Sequence, residues 1–345
     1  MIEKAKETIL NYKGAPLRIM EVCGTHTHEI FRLGIRSLLP PQVNLISGPG
    51  CPVCVTAVDY IDKAIYLAKK GCCICTFGDL IRVPGSDTSL AGARAEGGEI
   101  KTVYAPSDAV KYAQENPDKQ VVFLAVGFET TVPAVCLAVE EARRKNIENF
   151  SILAAHKTMP AAYQALKGSA DVFIYPGHVN AITGNAVCQR LREEGVSGVV
   201  AGFTPQELLM AFSVILTLYP KGEPFFKNCY TSVVKEEGNI PAQKLINKVM
   251  EPCDSLWRGL GIIKNSGLKL REEYALYDAE KKYSVPDIKG TPNPACKCAD
   301  ILMGKCKPPQ CPLFGKACTP LKPVGACMVS GEGACSAYYQ YGEKI

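Results

Sequence analysis

The chain has 345 residues, more than one hydrophobic core usually organises, so we expect two or three domains and exclude a single small module. Hydrophobic residues make up 47% of the chain and charged residues 21%, which excludes disorder for most of its length. The formal net charge of +5 is spread without long basic runs, so nucleic-acid binding has little support. We also expect no membrane span, because no run of about 18 uninterrupted apolar residues occurs.

The first sixteen residues predict a short amphipathic surface helix and lack the continuous apolar core of a secretion signal. We therefore expect a cytoplasmic protein. This expectation bears on the 17 cysteines of the chain, because thiols in a reducing cytosol are more often metal ligands or redox groups than static disulfides.

Between about Leu17 and Tyr219 one unit recurs, in which an apolar run is followed by a turn and a segment with helical spacing. Near-continuous apolar runs bounded by turns are typical of buried parallel strands. The alternation predicts an α/β fold with two wound parallel-sheet domains, at residues 1–95 and 96–235. The predicted strands are residues 17–22, 43–47, 72–77, 121–126, 151–155, 171–175 and 198–203, and the predicted helices include 29–38, 58–70, 133–145 and 205–218.

The third predicted region, residues 236–345, contains a small cysteine-rich domain. After about Ser284 the chain becomes rich in proline, glycine and cysteine, and seven cysteines fall between Cys296 and Cys335. A segment with so few aliphatic residues needs a metal or a covalent staple to fold. Four thiolates are the ligand set of a [4Fe–4S] cluster or of an all-cysteine zinc site, and the spacing alone leaves the identity of the metal open.

The first chemical motif is Cys23-Gly24-Thr25-His26, between a predicted strand and a predicted helix. Backbone N–H groups and the helix dipole favour anions at such a position, so we expect the pKa of Cys23 to fall and its thiolate to form. His26 could ligate a metal, transfer a proton or hydrogen-bond a ligand. The alternative is a buried cysteine beside a capping histidine.

The second motif is Cys51-Pro52-Val53-Cys54, again between a strand and a helix. This CxxC spacing indicates a dithiol whose first thiol is activated and whose second thiol resolves the disulfide. The alternative is two packed cysteines. Within the strand at residues 72–77, by contrast, the cysteines are better interpreted as small buried hydrophobic residues.

Further polar side chains follow other predicted strands. In wound α/β sheets the ligand lies beyond the carboxyl ends of the strands, so we expect these loops to converge on one rim. Some of the carboxylates could equally cap helices. No GxGxxG follows a strand and no GxxxxGK[ST] occurs, so nucleotide binding lacks its phosphate cradle. The polar residues in question are Asp79, Glu129, His156, Lys157 and His178.

Several blocks of sequence together resemble the HypD family, the iron-centre assembly scaffolds of [NiFe]-hydrogenase maturation, over essentially the whole chain. The blocks are CGTHTHEIF, SGPGCPVCVT, TFGDLIRVPGS, AVGFETTVPA, GHVNAITG, AGFTPQELL and CPLFGKACTPLKPVGACMVSGEGACSAYY. The resemblance implies two α/β domains and an iron–sulfur domain. It also implies a complex with the small chaperone HypC, on which an Fe(CN)2CO group is built, and cyanide donation by HypE, with the hydrogenase large subunit served indirectly.

The resemblance also implies roles for individual residues. Cys23 would hold the iron jointly with a cysteine of HypC, with His26 beside it. Cys51 and Cys54 would form the redox dithiol near that iron.

In the tail, the family spacing of the [4Fe–4S] ligands falls on Cys296, Cys311, Cys318 and Cys335. A register that uses Cys298 in place of Cys296 also gives four ligands. In the first register Cys298 and Cys327 would be a surplus pair that relays electrons.

Two other functions stay open on the sequence alone. One is a free-standing thiol–disulfide oxidoreductase, in which Cys23 has no metal role. The other is a passive binding scaffold whose cluster is a structural staple only.

Overall fold

The computed structural model describes residues 2–342, and this part of the chain is an α/β protein with two sheets. Its strands are β1 (Leu17–Glu21), β2 (Val43–Ser47), β3 (Cys73–Thr76), β4 (Ile100–Thr102), β5 (Val121–Gly127), β6 (Phe150–Lys157), β7 (Val172–Pro176), β8 (Ser197–Ala201), β9 (Phe226–Asn228), β10 (Met250–Trp257) and β11 (Gly261–Leu270). Its helices are α1 (Ile2–Leu10), α2 (Gly24–Arg32), α3 (Ile35–Leu38), α4 (Pro52–Val55), α5 (Val58–Lys69), α6 (Leu90–Ala95), α7 (Pro106–Glu115), α8 (Val132–Arg144), α9 (Met159–Ala165), α10 (Gly177–Thr183), α11 (Ala186–Glu193), α12 (Pro205–Leu218), α13 (Ile240–Val249), α14 (Ala279–Lys282), α15 (Cys298–Leu302), α16 (Ala326–Val329) and α17 (Ala334–Tyr341).

The two sheets confirm the predicted fold class. The first sheet has the strand order β2-β1-β7-β8-β9 and is parallel throughout. The second sheet has the order β10-β11-β6-β5-β3-β4. Each sheet combines strands from both sides of residue 95, and the division into the ranges 1–95, 96–235 and 236–345 stays a prediction about folding units.

One pair of strands departs from the parallel pattern. β10 and β11 form an antiparallel hairpin at the edge of the second sheet, and β11 also runs antiparallel to β6. Between its two buried ends, β10 has half-buried residues that alternate with exposed ones, which is the pattern of a strand with one solvated face. This hairpin was not predicted from the sequence, because it lacks the continuous apolar runs that mark buried strands.

The core explains why the apolar runs form strands. All seven residues of β5 are buried, because helices cover both faces of the second sheet. Between the two sheets lies a shared core that includes Met20 and Tyr175 of the first sheet and Val122 of the second. Residues of the cysteine-rich tail, among them Ile301 and Met328, belong to the same core.

The tail is therefore packed against the sheets. Its helix α17 lies against α2, where the rings of Phe31 and Tyr338 meet edge to face with centroids 4.6 Å apart. Its helix α16 lies against α4. The predicted cysteine-rich C-terminal region is confirmed, and it covers the loops that follow β1 and β2. Among residues 2–342, no helix is both long enough and apolar enough to cross a membrane.

Candidate functional site

A cavity of about 270 Å³ lies at the carboxyl ends of strands from both sheets. The loops that follow β1, β2, β5 and β7 all contribute to its wall, as expected for parallel strands whose ends share an edge. Of the four loops predicted to converge on one rim, those that follow β5 and β7 line this cavity, and those of Asp79 and of His156 and Lys157 do not. Its lining includes Cys23, Gly50, Phe128, Thr130, His178 and Glu332.

Cys23 occupies the N-cap position of α2, in extended backbone conformation. The backbone N–H groups of Thr25 and His26 favour its thiolate and act to lower its pKa, as the strand-to-helix position predicts. Only 8% of the residue is exposed, however, and burial raises the pKa of the Cys23 thiol to about 12. The expected fall in pKa is thus wrong for the free thiol, because removing the thiolate from water outweighs two N–H donors.

The backbone around Cys23 is fixed by a buried carboxyl group and by a glycine. The Cys23 N–H donates to Oε2 of Glu21 at 3.2 Å, and the Thr27 hydroxyl donates to Oε1 at 2.5 Å. The Gly24 N–H donates to the carbonyl oxygen of Gly50 at 2.9 Å. A Cβ atom on Gly50 would lie 2.0 Å from the Cys23 nitrogen, so this close contact between the two loops requires glycine.

The two histidines near Cys23 share one aromatic partner. The rings of His26 and His178 both stack on Phe203, with centroid separations of 4.6 Å and 4.0 Å. His26 is fully buried, and its Nε2 donates to the Gly202 carbonyl at 3.0 Å. Burial lowers the pKa of His26 to about 4, so its ring is neutral near pH 7. Of the two histidines, His178 lines the cavity.

Glu332, which was not predicted from the sequence, brings a carboxylate from the tail to the cavity. Its Oε1 accepts a hydrogen bond from the Thr25 hydroxyl at 2.7 Å. A Cβ atom on Gly24 would lie 2.6 Å from Cβ of Glu332, so the CGTH loop and the tail fit closely. No spacing or periodicity in the sequence marks this residue, because it meets Cys23 only through the docking of the tail.

The CxxC dithiol lies beside the cavity at the start of α4. The sulfur of Cys51 accepts a hydrogen bond from the Cys54 N–H at 3.3 Å, which is the N-cap geometry expected of an activated first thiol. Both residues are buried, and burial raises the pKa of Cys54 well above its ordinary value. The Cys54 thiol also lies beside the thiol of Cys327 in the tail.

Cys327 connects the dithiol with the remaining cysteines of the tail. Its thiol lies beside those of Cys298, Cys335 and Cys54. These thiols can donate to a Cys327 thiolate, so the pKa of Cys327 is lowered although the residue is fully buried. The structure therefore contains a continuous run of thiols from the tail to the CxxC loop beside Cys23.

The cysteines that the sequence predicts as [4Fe–4S] ligands lie in the tail, where Cys311, Cys318 and Cys335 are buried and Cys296 is half-buried. A Cβ atom on Gly325 would lie 2.5 Å from the sulfur of Cys298 and 2.6 Å from that of Cys296, so this glycine keeps room for both thiols. The Cys318 sulfur accepts the Val324 N–H at 3.3 Å, the kind of hydrogen bond that tunes thiolate ligands. Within residues 2–342, no three cysteine, histidine or acidic side chains are grouped to hold a single metal ion.

Other polar residues of the predicted rim have separate partners. Asp79 accepts a hydrogen bond from Ser330 in the tail at 3.4 Å. Glu129 is buried and accepts the Met159 N–H at 2.8 Å, and burial raises the pKa of Glu129 to about 7.

His156 and Lys157 do not reach the cavity that contains Cys23, because β11 pairs with the end of β6 at these two residues. The Lys157 ammonium group donates to the Ser255 hydroxyl and to the Leu256 carbonyl oxygen, at 2.8 Å and 2.7 Å. Neither ring nitrogen of His156 has a hydrogen-bond partner in the described part of the chain. The expectation that these side chains lie on the same rim is wrong.

Fold and site together define a thiol-rich α/β protein in which a cysteine-rich tail docks beside a cavity between two wound sheets. Such an arrangement suits proteins that bind soft metals or exchange dithiols and disulfides.

Comparison with known proteins identifies the family of this chain. The family model described as "HypD: Hydrogenase formation hypA family" matches residues 1–342. A putative hydrogenase expression/formation protein of Methanocaldococcus jannaschii is 45% identical over 99% of this chain and 97% of its own length. The hydrogenase maturation factors HypD of Azotobacter vinelandii and Escherichia coli are 44% and 42% identical, each over 95% of this chain and 90% of the relative. The chain belongs to the HypD family, as its sequence blocks predict.

Proposed function

We propose that this protein is a hydrogenase maturation factor that, with a HypC-like chaperone, binds iron and assembles the Fe(CN)2CO group of [NiFe]-hydrogenase. It accepts cyanide from a HypE-like donor and serves the hydrogenase large subunit indirectly. The observation that carries the proposal is the run of thiols from the tail through Cys327 and Cys54 to the loop beside Cys23. The names of the relatives support it.

Cys23 is the proposed iron ligand of this chain. Iron that carries cyanide and CO is a soft centre, for which a thiolate is a suitable donor. The backbone N–H groups of Thr25 and His26 favour a thiolate at Cys23, and they stabilise it once iron replaces the proton. A cysteine of the HypC-like partner provides the second thiolate, and the cavity of about 270 Å³ has room for the cargo.

Cys51 and Cys54 supply the electrons for cyanide release. When they react with a thiocyanate, R–S–CN, the S–CN bond breaks and a Cys51–Cys54 disulfide forms. The donor leaves as a thiol, and cyanide leaves with the second proton. Each cyanide therefore consumes two electrons, and two cyanide groups require the dithiol to be reduced again between transfers.

Cys298 and Cys327 are the proposed route of re-reduction. Because the Cys327 thiol contacts that of Cys54, exchange there converts the Cys51–Cys54 disulfide back to a dithiol and leaves a Cys298–Cys327 disulfide. We assign Cys296, Cys311, Cys318 and Cys335 as ligands of a [4Fe–4S] cluster, with Cys298 in place of Cys296 as the other register. When bound, such a cluster supplies electrons one at a time.

Substitution of Cys327 tests the relay. Cys327→Ala should keep the iron–sulfur absorbance of anaerobically purified protein but fail to mature hydrogenase in cells that lack the native gene. Cys136→Ala is the matched control, since Cys136 is equally buried but lies in the outer core of the second sheet. Normal maturation with Cys327→Ala and Cys298→Ala would refute the relay.

Substitution of Cys23 tests the iron site separately. Cys23→Ala, purified with the HypC-like partner, should retain the iron–sulfur signal and lack the infrared bands of iron-bound cyanide and CO. If wild-type protein shows no such bands but turns over disulfide substrates without any partner, the protein is a free-standing oxidoreductase and the proposal fails.

A further inference from the structure

A second cavity, of about 180 Å³, lies between the first sheet and the tail, away from Cys23. Three cationic side chains contribute to its lining, and the lining contains no aspartate or glutamate. Arg36 comes from α3, beside β2, whereas Lys305 and Lys307 come from the loop that follows α15. None of the ion pairs within residues 2–342 involves any of the three.

Arg36 is held in a fixed orientation by neutral groups. Its Nη1 donates to the Leu45 carbonyl oxygen at 2.8 Å, and its Nη2 donates to the Ser47 hydroxyl at 2.9 Å. The guanidinium carbon lies 4.4 Å from the ring centroid of Phe31 and 5.8 Å from that of Tyr338. The Nε atom is buried and has no hydrogen-bond partner in the described part of the chain.

The nearby acid does not neutralise this cation. Glu21 and Arg36 share the Ser47 hydroxyl as a hydrogen-bond partner and do not bond each other directly. The two carboxyl oxygens of Glu21 accept hydrogen bonds from the Cys23 N–H and the Thr27 hydroxyl. A largely buried guanidinium with an unpaired N–H and no carboxylate partner is costly to a fold. An anion in the adjacent cavity would remove that cost.

Other groups at the cavity also favour an anion. The Gln310 side-chain oxygen accepts the Lys307 N–H at 2.7 Å, which leaves the two N–H groups of its amide as donors. The cavity is smaller than the roughly 300 Å³ at which pockets for drug-sized ligands begin. Its size and its donors therefore select a small ligand with negative charge.

We propose that this cavity binds a small free oxyanion of the phosphate, sulfate or carboxylate type, with Arg36 as its fixed donor and Lys305 and Lys307 as its flanking cations. Guanidinium groups bind such anions through charge-assisted hydrogen bonds of defined direction, and ammonium groups add charge without that constraint. Because Arg36 comes from α3, beside the first sheet, and the two lysines come from the tail, the bound anion ties the tail to this part of the fold. Binding to the folded state alone raises its stability.

The test uses full-length protein purified with its cluster under anaerobic conditions. Sodium phosphate, sulfate and acetate are titrated separately against sodium chloride at matched ionic strength, with thermal unfolding and isothermal titration calorimetry as the measurements. We expect at least one oxyanion to bind with a measurable heat and to raise the unfolding temperature above the chloride value. Comparison of phosphate with acetate distinguishes a phosphate-type from a carboxylate-type ligand.

Three variants locate the site. Arg36→Lys and the double variant Lys305→Ala/Lys307→Ala should each bind about tenfold more weakly than wild type. The control is Lys297→Ala, since Lys297 lies in the same tail but pairs with Asp300, and it should bind as wild type does. If Arg36→Lys fails to fold, the oxyanion affinity of the double variant, compared with that of Lys297→Ala, tests the proposal. Equal affinity of the double variant and Lys297→Ala, or no effect of any oxyanion beyond chloride, overturns the proposal.

Discussion

Gly50→Ala should destabilise the protein and displace the loop of Cys23. The added Cβ atom would lie 2.0 Å from the Cys23 nitrogen and 2.3 Å from both the Cys23 Cα and the Val22 carbonyl carbon. All three are backbone atoms, so no side chain can rotate away. Ordinary contact begins at 3.4 Å, and the two loops must therefore separate by about 1.4 Å, which breaks the 2.9 Å hydrogen bond between Gly24 and Gly50.

The magnitude follows from two contributions. Overpacking a rigid contact costs about 1–3 kcal/mol, and the lost buried hydrogen bond adds about 1 kcal/mol. We therefore expect the free energy of unfolding of Gly50→Ala to fall by about 3 kcal/mol. The increased separation should also expose the Cys23 thiol.

Both effects can be measured on the purified protein. Urea unfolding can be followed through the fluorescence of Trp257, the only tryptophan of the sequence and a fully buried one. Mass spectrometry of alkylated peptides gives the rate at which iodoacetamide modifies Cys23. The control is Gly331→Ala, because a Cβ atom there meets open space at an ordinary φ. The reasoning is refuted if Gly50→Ala unfolds at the same urea concentration as the control and Cys23 is alkylated no faster.

Two further predictions concern buried ionisable groups. Burial lowers the pKa of His156 from 6.5 to about 4. Between these two pH values the unfolded chain binds a proton that the folded state excludes. The stability contributed by the neutral ring is therefore complete above pH 6.5 and is lost as the pH falls toward 4. Between pH 7.5 and pH 5 the wild type should lose about 2 kcal/mol of unfolding free energy through this group, and His156→Gln should not. Urea unfolding midpoints across that pH range measure the difference. If stability falls with pH equally steeply in both proteins, the prediction is wrong. Glu21→Ala should cost about 2–3 kcal/mol by leaving the Cys23 N–H unpaired, whereas Glu21→Gln keeps an acceptor for it and lets the Thr27 hydroxyl turn to the Cys23 carbonyl oxygen. Equal unfolding free energies for the two Glu21 variants would show that the Glu21 side chain is not needed as the acceptor of the Cys23 N–H.

The strands that the sequence predicts are those buried on both faces. The run at residues 121–126 became β5 because both of its faces are covered, and a continuous apolar run is the direct mark of that environment. β10 has an exposed face with polar residues, so it has no continuous apolar run by which it could be predicted. The order of strands within each sheet was also beyond prediction, because it depends on which distant segments pack together.

The candidate site was predictable where it depends on strand ends. Cys23, Gly50 and His178 each follow a parallel strand, and the rule for wound sheets places them together. Glu332 and the contact between Cys54 and Cys327 depend on where the tail docks, which no local pattern records. The pKa of Cys23 was mispredicted because burial is a property of the complete fold.

The mixed strand order of the first sheet has a consequence for synthesis. β1 and β2 are synthesised before β7, which pairs with β1 and begins about 125 residues after the end of β2. At 5–20 residues per second, that interval lasts on the order of ten seconds, during which the N-terminal cysteines have no cover. The part of the cavity wall that comes last in the chain, Glu332, is synthesised well after β7. A nascent chain therefore lacks the enclosed cavity until Glu332 has been added and the tail has docked, and only then can it present the cavity to a partner.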